Sequence, residues 1–315
     1  MAVAPPLISI VIATYNGAEF LSMQLDSLVG QTWPNIEIIA TDDGSTDDTL
    51  HVLLSYAARH NNIKVFSNEV TLGYIRNFER GMTLASGDFI ALCDQDDIWI
   101  PEKLASLMAE RGVHRLVYSD SELIDASGRP LGRRLSEVKR LIDFADCLNY
   151  AIGGSAPGHA MLFERQLVAE CLPFPASIPH DYWLGFVATF RSTLHYVDRP
   201  LVLYRQHDAN VFGAGRAATS GRPVPRRARR RPTGGDKRAL ARERVRLLAQ
   251  KCPPTLPEQH RVLRLLSQSY ESFSPRNNWR RMMLFFRYGD RFHAFKRRSR
   301  AAQWVFALKM FFVLR

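Results

Sequence analysis

The stretch Ala91-Leu92-Cys93-Asp94-Gln95-Asp96-Asp97-Ile98-Trp99 decides how this 315-residue chain is read. Three carboxylates, Asp94, Asp96 and Asp97, follow directly on an apolar run, Phe89 to Cys93, that reads as a buried strand. Like charges this close repel and raise each other's pKa, so a strand end crowded with them calls for a cation or a donor-rich ligand.

Outward from this segment, strand and helix alternate. Residues 7–14 are short, apolar and β-branched and stop at Asn16-Gly17, which predicts a buried parallel-type strand. Phe20, Leu21, Leu25 and Leu28 recur at helical spacing up to Gly30. A second strand over 36–41 runs into Asp42-Asp43-Gly44-Ser45, and Ser45 with Asp48 three residues on resembles a capping box opening a helix over 46–59. Strand 63–67, helix 75–85 and strand 88–93 follow. This alternation predicts a doubly wound, mostly parallel α/β sheet flanked by helices, whose ligands bind beyond the carboxyl ends of the strands. The clusters Thr14-Tyr15-Asn16, Asp42-Asp43 and Asp94 to Asp97 all fall at such ends. Neither GxGxxG nor GxxxxGK[ST] occurs, so a nucleotide would be held by carboxylates and a metal, without a glycine-rich phosphate cradle.

Farther on, Pro101 opens a helix over 101–110, 115–124 reads as a strand, and 126–140 as a polar, basic, mobile loop. Residues 153–168 form a loop feeding a strand and a helix, 180–188 open a helix, and 199–211 read as a strand ending in polar residues.

The net charge of +11 is unevenly spread: residues 1–215 carry 16 Lys and Arg against 26 Asp and Glu, whereas residues 216–315 carry 26 against 5. An acidic body with a basic tail implies a part suited to a metal and a part that meets polyanions. The four cysteines show no CxxC and no zinc spacing, so they are expected to be reduced structural thiols. No signal peptide is expected at the N-terminus, and no apolar run is long enough to span a membrane.

Five segments in order, VIATYNG (11–17), QTWPNIEIIATDDGSTDDT (31–49), ASGDFIALCDQDDIWIPEKL (85–104), PHDYWL (179–184) and YRQHDANV (204–211), resemble the family 2 glycosyltransferases of the GT-A fold. The likeness is greatest to the rhamnosyltransferase-like enzymes of bacterial surface-polysaccharide assembly. It implies a catalytic domain over 1–215, with a nucleotide-sugar half to about residue 110 and an acceptor half from 111, then a basic linker over 216–236 and a basic helical extension over 237–315.

The resemblance also implies roles. Asp96 would hold Mg²⁺ or Mn²⁺ and His207 would complete the metal site; a hard cation suits oxygen ligands and a diphosphate leaving group. Asp94 would face the ribose or the metal's waters, and Asp97 could instead cap the next helix. Asp43 would accept the N3–H of a uracil or thymine base, a helix-capping role for Asp43 or Ser45 being the alternative. Thr14, Tyr15 and Asn16 would line the base pocket. Arg76 and Asn77 would reach the nucleotide, Arg76 being equally readable as a surface residue. Asp181 takes the place of the catalytic base for inversion, with capping as its alternative and His180 in support. Trp99 and Trp183 read as core or sugar-stacking residues, and the role of the 153–159 loop is unassigned. QxxRW, the mark of processive synthases, is missing, which implies one sugar per encounter.

The expected function is therefore metal-dependent, inverting transfer of one sugar, L-rhamnose by likeness, from a dTDP- or UDP-linked donor to a saccharide or polyprenyl-linked acceptor. In the tail, aromatic and aliphatic residues interleave with Arg and Lys from Trp279 onward, and Trp304, Leu308, Phe311 and Phe312 recur at helical spacing. That pattern fits interfacial helices on an anionic membrane, hence a cytoplasmic protein peripheral to the plasma membrane; packing back on the body is the alternative. The rival class is a polyanion- or nucleic-acid-binding protein acting through Arg226 to Arg231 and the basic helices. No nucleic-acid-binding motif is recognisable, and nucleic acid is not expected as a partner.

Overall fold

The computed structural model describes residues 4–207, 234–293 and 299–312. The linker expected over 216–236 lies, up to residue 233, outside the described residues, as do Asp208 to Val211 of the last motif. Two compact units are resolved: Met1–Asp143 with Ala156–Leu184 and Thr193–Thr219, and Phe144–Ser155 with Gly185–Ser192 and Ser220–Arg315. The second unit thus takes 144–155 and 185–192 from within the span that sequence assigned to the catalytic region.

The first unit alternates as its hydrophobic periodicity requires: β1 (Ile8–Thr14), α1 (Ala18–Val29), β2 (Ile36–Asp42), α2 (Thr49–Ala57), β3 (Ile63–Ser67), α3 (Tyr74–Leu84), β4 (Phe89–Cys93), β5 (Ile98–Trp99) and α4 (Lys103–Glu110). Then come β6 (Leu116–Ile124), β7 (Pro130–Arg134), α5 (Leu135–Val138), α6 (Cys147–Ala151, in the second unit), β8 (Met161–Glu164), α7 (Gln166–Cys171), α8 (His180–Ala188, assigned to the second unit from Gly185 on) and β9 (His195–Arg205). The sheet order is β3-β2-β1-β4-β8-β6-β9-β5, with β7 on β6. β3, β2, β1 and β4 are parallel; the runs of Ile, Val, Ala and Leu in β2, β1 and β4 are buried on both faces, whereas the edge strand β3 buries only Ile63. From β4 onward the sheet is mixed: β8 is antiparallel to β4 and β6, β9 is parallel to β6, and β5 is antiparallel to β9.

Three expectations need correcting. Helix α2 begins at Thr49, not 46, because Ser45 closes a turn on the strand before it: its N–H and hydroxyl both go to the Asp42 carboxylate, while Thr49 N–H and hydroxyl both go to Asp47. The 126–140 segment is ordered as β7 and α5. Asp125 gathers the N–H groups of Ser127 and Arg129 around Gly128, whose φ of 85° tightens the hairpin, and Asp120 holds both the N–H and the hydroxyl of Ser136. The last strand starts at His195, four residues before the expected 199, and ends at Arg205.

The second unit holds α9 (Gly234–Lys251), α10 (Pro257–Ser269), α11 (Pro275–Arg287), α12 (Gly289–Phe292) and α13 (Arg300–Phe312). Within it, Arg291 pairs with Asp146 at the start of α6 and with Glu258 of α10. α13 lies along α11 through Phe285 and Phe306, and Asn278 donates to the Phe311 carbonyl. Its outer face leaves Trp304, Val305, Leu308 and Phe312 exposed. Among the described residues no helix is long and apolar enough to cross a membrane.

One buried carboxylate joins four segments of the parallel half. Glu37 of β2 accepts from Ser9 of β1, Lys64 of β3, and the N–H and hydroxyl of Ser86 just before β4, at 2.6 to 2.9 Å. Burial opposes its ionisation, but these donors outweigh it and bring its pKa from 4.5 down to about 2. A group depressed on folding stabilises the fold above its unfolded pKa, and the effect is lost as pH falls through its folded pKa. Glu37→Gln should therefore cost about 2 kcal/mol at pH 7, with the gap to wild type closing between pH 4.5 and about 2; urea denaturation across that range checks it. A gap independent of pH would contradict the assignment.

Candidate active site

Register explains why distant segments meet. Ile98 pairs with Leu203 and Trp99 with Val202, antiparallel. Extending that pairing backwards sets Asp97 and Asp96 beside the end of β9. Accordingly, Arg205 N–H donates to Asp97 Oδ1 at 3.0 Å, and His207 Nε2 lies 2.8 Å from Asp96 Oδ2 across 111 residues of sequence. The Arg205 guanidinium, wholly buried, donates to the carbonyls of Asp96 and Ala126 and lies over the Phe20 ring, which also touches the His207 ring.

The same logic applies on the other side. Ala91 pairs with Leu162 and Phe89 with Glu164, so the continuation of that ladder brings Asp94 opposite His159, in the short 3₁₀ turn Gly158–Ala160. His159 Nδ1 lies 3.7 Å from Asp94 Oδ2 and 3.9 Å from Asp97 Oδ2; its Nε2 meets Ser121 and its ring stacks on Tyr204. Asp94, Asp97 and His159 offer three ligand atoms within 4.8 Å of one another. Sequence missed His159 because nothing in the 153–159 loop marks it; only strand pairing does.

Position splits the carboxylates. Asp97 is wholly buried, and burial, reinforced by the charges of Asp96 and Asp94, pushes its pKa well above the usual carboxylate range. Burial works in the same sense on Asp94, but the hydrogen bond and charge of His159, with His180 and Lys103, hold it below that range. Asp97 Oδ2 finds no hydrogen-bond partner among the described residues. A buried, unsatisfied carboxylate oxygen beside the Asp94 carboxylate and the His159 imidazole is a donor set that suits a divalent cation. Asp97 does not cap the next helix: the residue preceding α4 is Glu102.

The parallel half supplies an adjoining wall. In the ladders Thr14 is level with Asp42, and Asp42 with Ser67. Thr14 donates to Asp42, and the Gln95 amide makes two bonds with the Tyr15 backbone, Oε1 accepting at 2.8 Å and Nε2 donating at 3.1 Å. Gly17 permits this clamp, since a Cβ there would lie 2.3 Å from Gln95. Asn16 takes a φ of 47° and accepts the Thr46 N–H, leaving Tyr15 half exposed at the rim. Asp43 is buried; Oδ1 accepts from Asn68 and Leu72 N–H, and Oδ2 from Gly73 N–H. It thus secures the loop leading into α3, and not the start of α2. Asn77 is buried, its amide donating to Thr41 and Thr14 carbonyls and accepting from Asn68. Arg76 is at the surface, paired with Glu79.

Asp181 sits in the first turn of α8, its Oδ1 accepting the Tyr182 N–H. It borders the same 3₁₀ turn, since a Cβ at Gly158 would lie 3.2 Å from Asp181 Cβ and 3.3 Å from His180 Nε2. His180 is buried and stacked on Phe78 of α3, and burial lowers its pKa. Trp99 and Trp183 are core residues. Structure therefore pairs Asp96 with His207, gathers Asp94 with Asp97 and His159 with Asp181 bordering the His159 turn, sets Thr14 to Asn16 and Asp43 on an adjoining wall, and leaves Arg76 outside.

Comparisons with known proteins agree in kind. The sequence profile described as Glycosyl transferase family 2 matches residues 9–169, just over half of the chain. The dTDP-rhamnosyl transferase RfbG of Shigella flexneri is 29% identical over 219 residues, 64% of this chain and 73% of that protein. The S. aureus TarS 1–349 structure in complex with UDP-GlcNAc superposes with a TM-score of 0.57 at 17% identity, covering 98% of this chain and 81% of that one. Mannosyltransferase PcManGT from Pyrobaculum calidifontis, in complex with GDP-Man and Mn²⁺, gives 0.52 at 15% identity, covering 98% and 82%.

Proposed function

The chain belongs to glycosyl transferase family 2 and is a glycosyltransferase, and from that premise we propose a metal-dependent, inverting transfer of a single sugar from a nucleotide-diphosphate sugar to a saccharide or polyprenyl-linked acceptor. The observation that carries the reading is the Asp96–His207 contact at 2.8 Å, a carboxylate and an imidazole brought together across 111 residues of sequence.

Asp96 and His207 would hold Mg²⁺ or Mn²⁺, with Asp94 facing the ribose or the metal's waters. Bound there, the cation would supply positive charge to neutralise the diphosphate as the sugar leaves. The PcManGT complex with Mn²⁺ supports this choice. Asp43 Oδ2 carries one intramolecular donor and so keeps a lone pair for the N3–H of a pyrimidine. Tyr15 and Asn16 would line the rim of the base pocket, with Thr14 buried beneath them on Asp42. Asn77 serves the pocket by tying the ends of β1 and β2, and Arg76 reaches the nucleotide only by leaving Glu79.

Asp181 acts as the base. The acceptor oxygen bonds to the anomeric carbon as the carbon–oxygen bond to the diphosphate breaks; the electron pair leaves with the diphosphate and the hydroxyl proton passes to Asp181. The relative from Shigella flexneri supports dTDP-rhamnose as donor, and the TarS complex makes UDP-sugars the competitor. Asp181→Asn should lower turnover by about 10²–10⁴-fold while nucleotide-sugar affinity, read by calorimetry, changes little. Wild-type turnover in that variant would remove the base assignment.

The exposed face of α13 (Trp304, Val305, Leu308, Phe312), with Arg300 and Lys309 on the same helix, supports attachment to an anionic membrane surface at the cytoplasmic face. The full chain is expected to float with phosphatidylglycerol-containing vesicles at low salt and to detach at high salt. A protein that stays in the soluble fraction at low salt would contradict the attachment.

A further inference from the structure

Lys103 opens α4 just beyond the aspartates and is wholly buried. Burying an ammonium is costly unless it is well partnered, and a hydrophobic residue of similar volume is often the more stabilising choice. The charges of Asp97 and Asp94 act on it from beyond ion-pair distance, and its direct partners are a carbonyl and a ring: Nζ donates to the His159 main-chain oxygen at 2.5 Å and stands 3.1 Å from the Trp99 ring centroid. The lysine therefore grips the backbone of one particular turn, Gly158–Ala160.

That turn faces two ways. On one side the His159 imidazole points between Asp94 and Asp97, at 3.7 and 3.9 Å. On the other, the Gly158 backbone lies close against Asp181: an added Cβ would approach Asp181 Cβ to 3.2 Å and His180 Nε2 to 3.3 Å, so one of them would have to give way. Whatever fixes the turn also fixes the spacing between the carboxylates at the end of β4 and the first turn of α8.

We propose that Lys103 is a positioning residue, its hydrogen bond to the His159 carbonyl setting the register between the donor-side carboxylates and Asp181. The inference rests on the reading of Asp181 as the base. Lys103 touches neither donor nor acceptor; it acts through the Gly158–Ala160 turn. Since a misplacement of about 1 Å can cost about 10²-fold in rate, loosening the turn should slow transfer without weakening donor binding.

The test compares wild type, Lys103→Met, Lys103→Gln, Gly158→Ala and Asp181→Asn as full chains. Binding is probed with UDP and dTDP in the presence of Mn²⁺. Turnover is read with dTDP-rhamnose and UDP-glucose on lipid-linked saccharides extracted from bacterial membranes, and hydrogen–deuterium exchange is followed in peptides covering 156–184. Lys103→Met fills the site without a donor and is expected to fold, to bind the nucleotide within about threefold of wild type, and to lose about 30-fold or more in kcat. Exchange in 156–184 should rise. Lys103→Gln, which keeps an N–H for the carbonyl, should recover about tenfold of that loss, and Gly158→Ala should reproduce the split by displacing Asp181 directly.

Turnover within threefold of wild type in folded Lys103→Met would overturn the proposal. So would a fall in nucleotide affinity that tracks the fall in kcat, or failure of both lysine variants to fold, which would make Lys103 a stability residue. Wild-type turnover in Asp181→Asn with raised exchange in Lys103→Met would instead overturn the base reading and leave the positioning contact standing.

Discussion

The hydrogen bond from Arg205 N–H to Asp97 Oδ1 is the point at which β9, after pairing with β5, goes on to hold the aspartate turn. Three carboxylates within four positions would repel one another in an unsupported loop. Here each is given a different surrounding: Asp97 is sealed in and driven toward its neutral form, Asp94 is kept ionised by His159, and Asp96 meets His207. Separating the titration of neighbouring carboxylates by environment is how one cluster can serve several roles. Two antiparallel pairings do the separating, β5 with β9 on one side and β8 with β4 on the other.

That constraint explains the mixed character of the sheet. A purely parallel sheet would place strand ends side by side but would not turn a chain back over them. The parallel half presents Thr14, Asp42 and Asp43 along one edge through straightforward crossovers. The antiparallel strands β8 and β5 break the winding and bring His159 and His207 back over the crowded carboxylates. Glu37 braces β1, β2, β3 and the entry to β4 with a fully satisfied carboxylate, so the aspartates stand on a firm base.

Sequence carried the parallel half well, because period and punctuation there are local: apolar runs end at Asn16-Gly17, Asp42-Asp43-Gly44 and Asp94. Asp96 and His207 were singled out by motifs in the right order, and the fold sets them 2.8 Å apart. His159, the buried Lys103 and the burial of Asp97 were not, since each depends on which strands pair and in what register, a long-range property that no window of residues displays. The 126–140 segment misled for a different reason. Its basic composition suggested a solvated loop, yet Asp125-Ala126-Ser127-Gly128 is hairpin chemistry, and Asp120, far off in sequence, secures Ser136. Asp43 shows a third case, a carboxylate whose capping partner is not the helix that follows it but the loop before α3.

The most direct test of the account is calorimetric titration of the protein with dTDP-rhamnose, UDP-glucose and GDP-mannose, each with Mn²⁺ and with chelator, in wild type and Asp96→Asn. The account predicts that a pyrimidine-diphosphate sugar binds at least about tenfold more tightly with Mn²⁺, a difference of about 1.4 kcal/mol, and that Asp96→Asn removes the difference. Binding equally strong with chelator, or unchanged in Asp96→Asn, would contradict it.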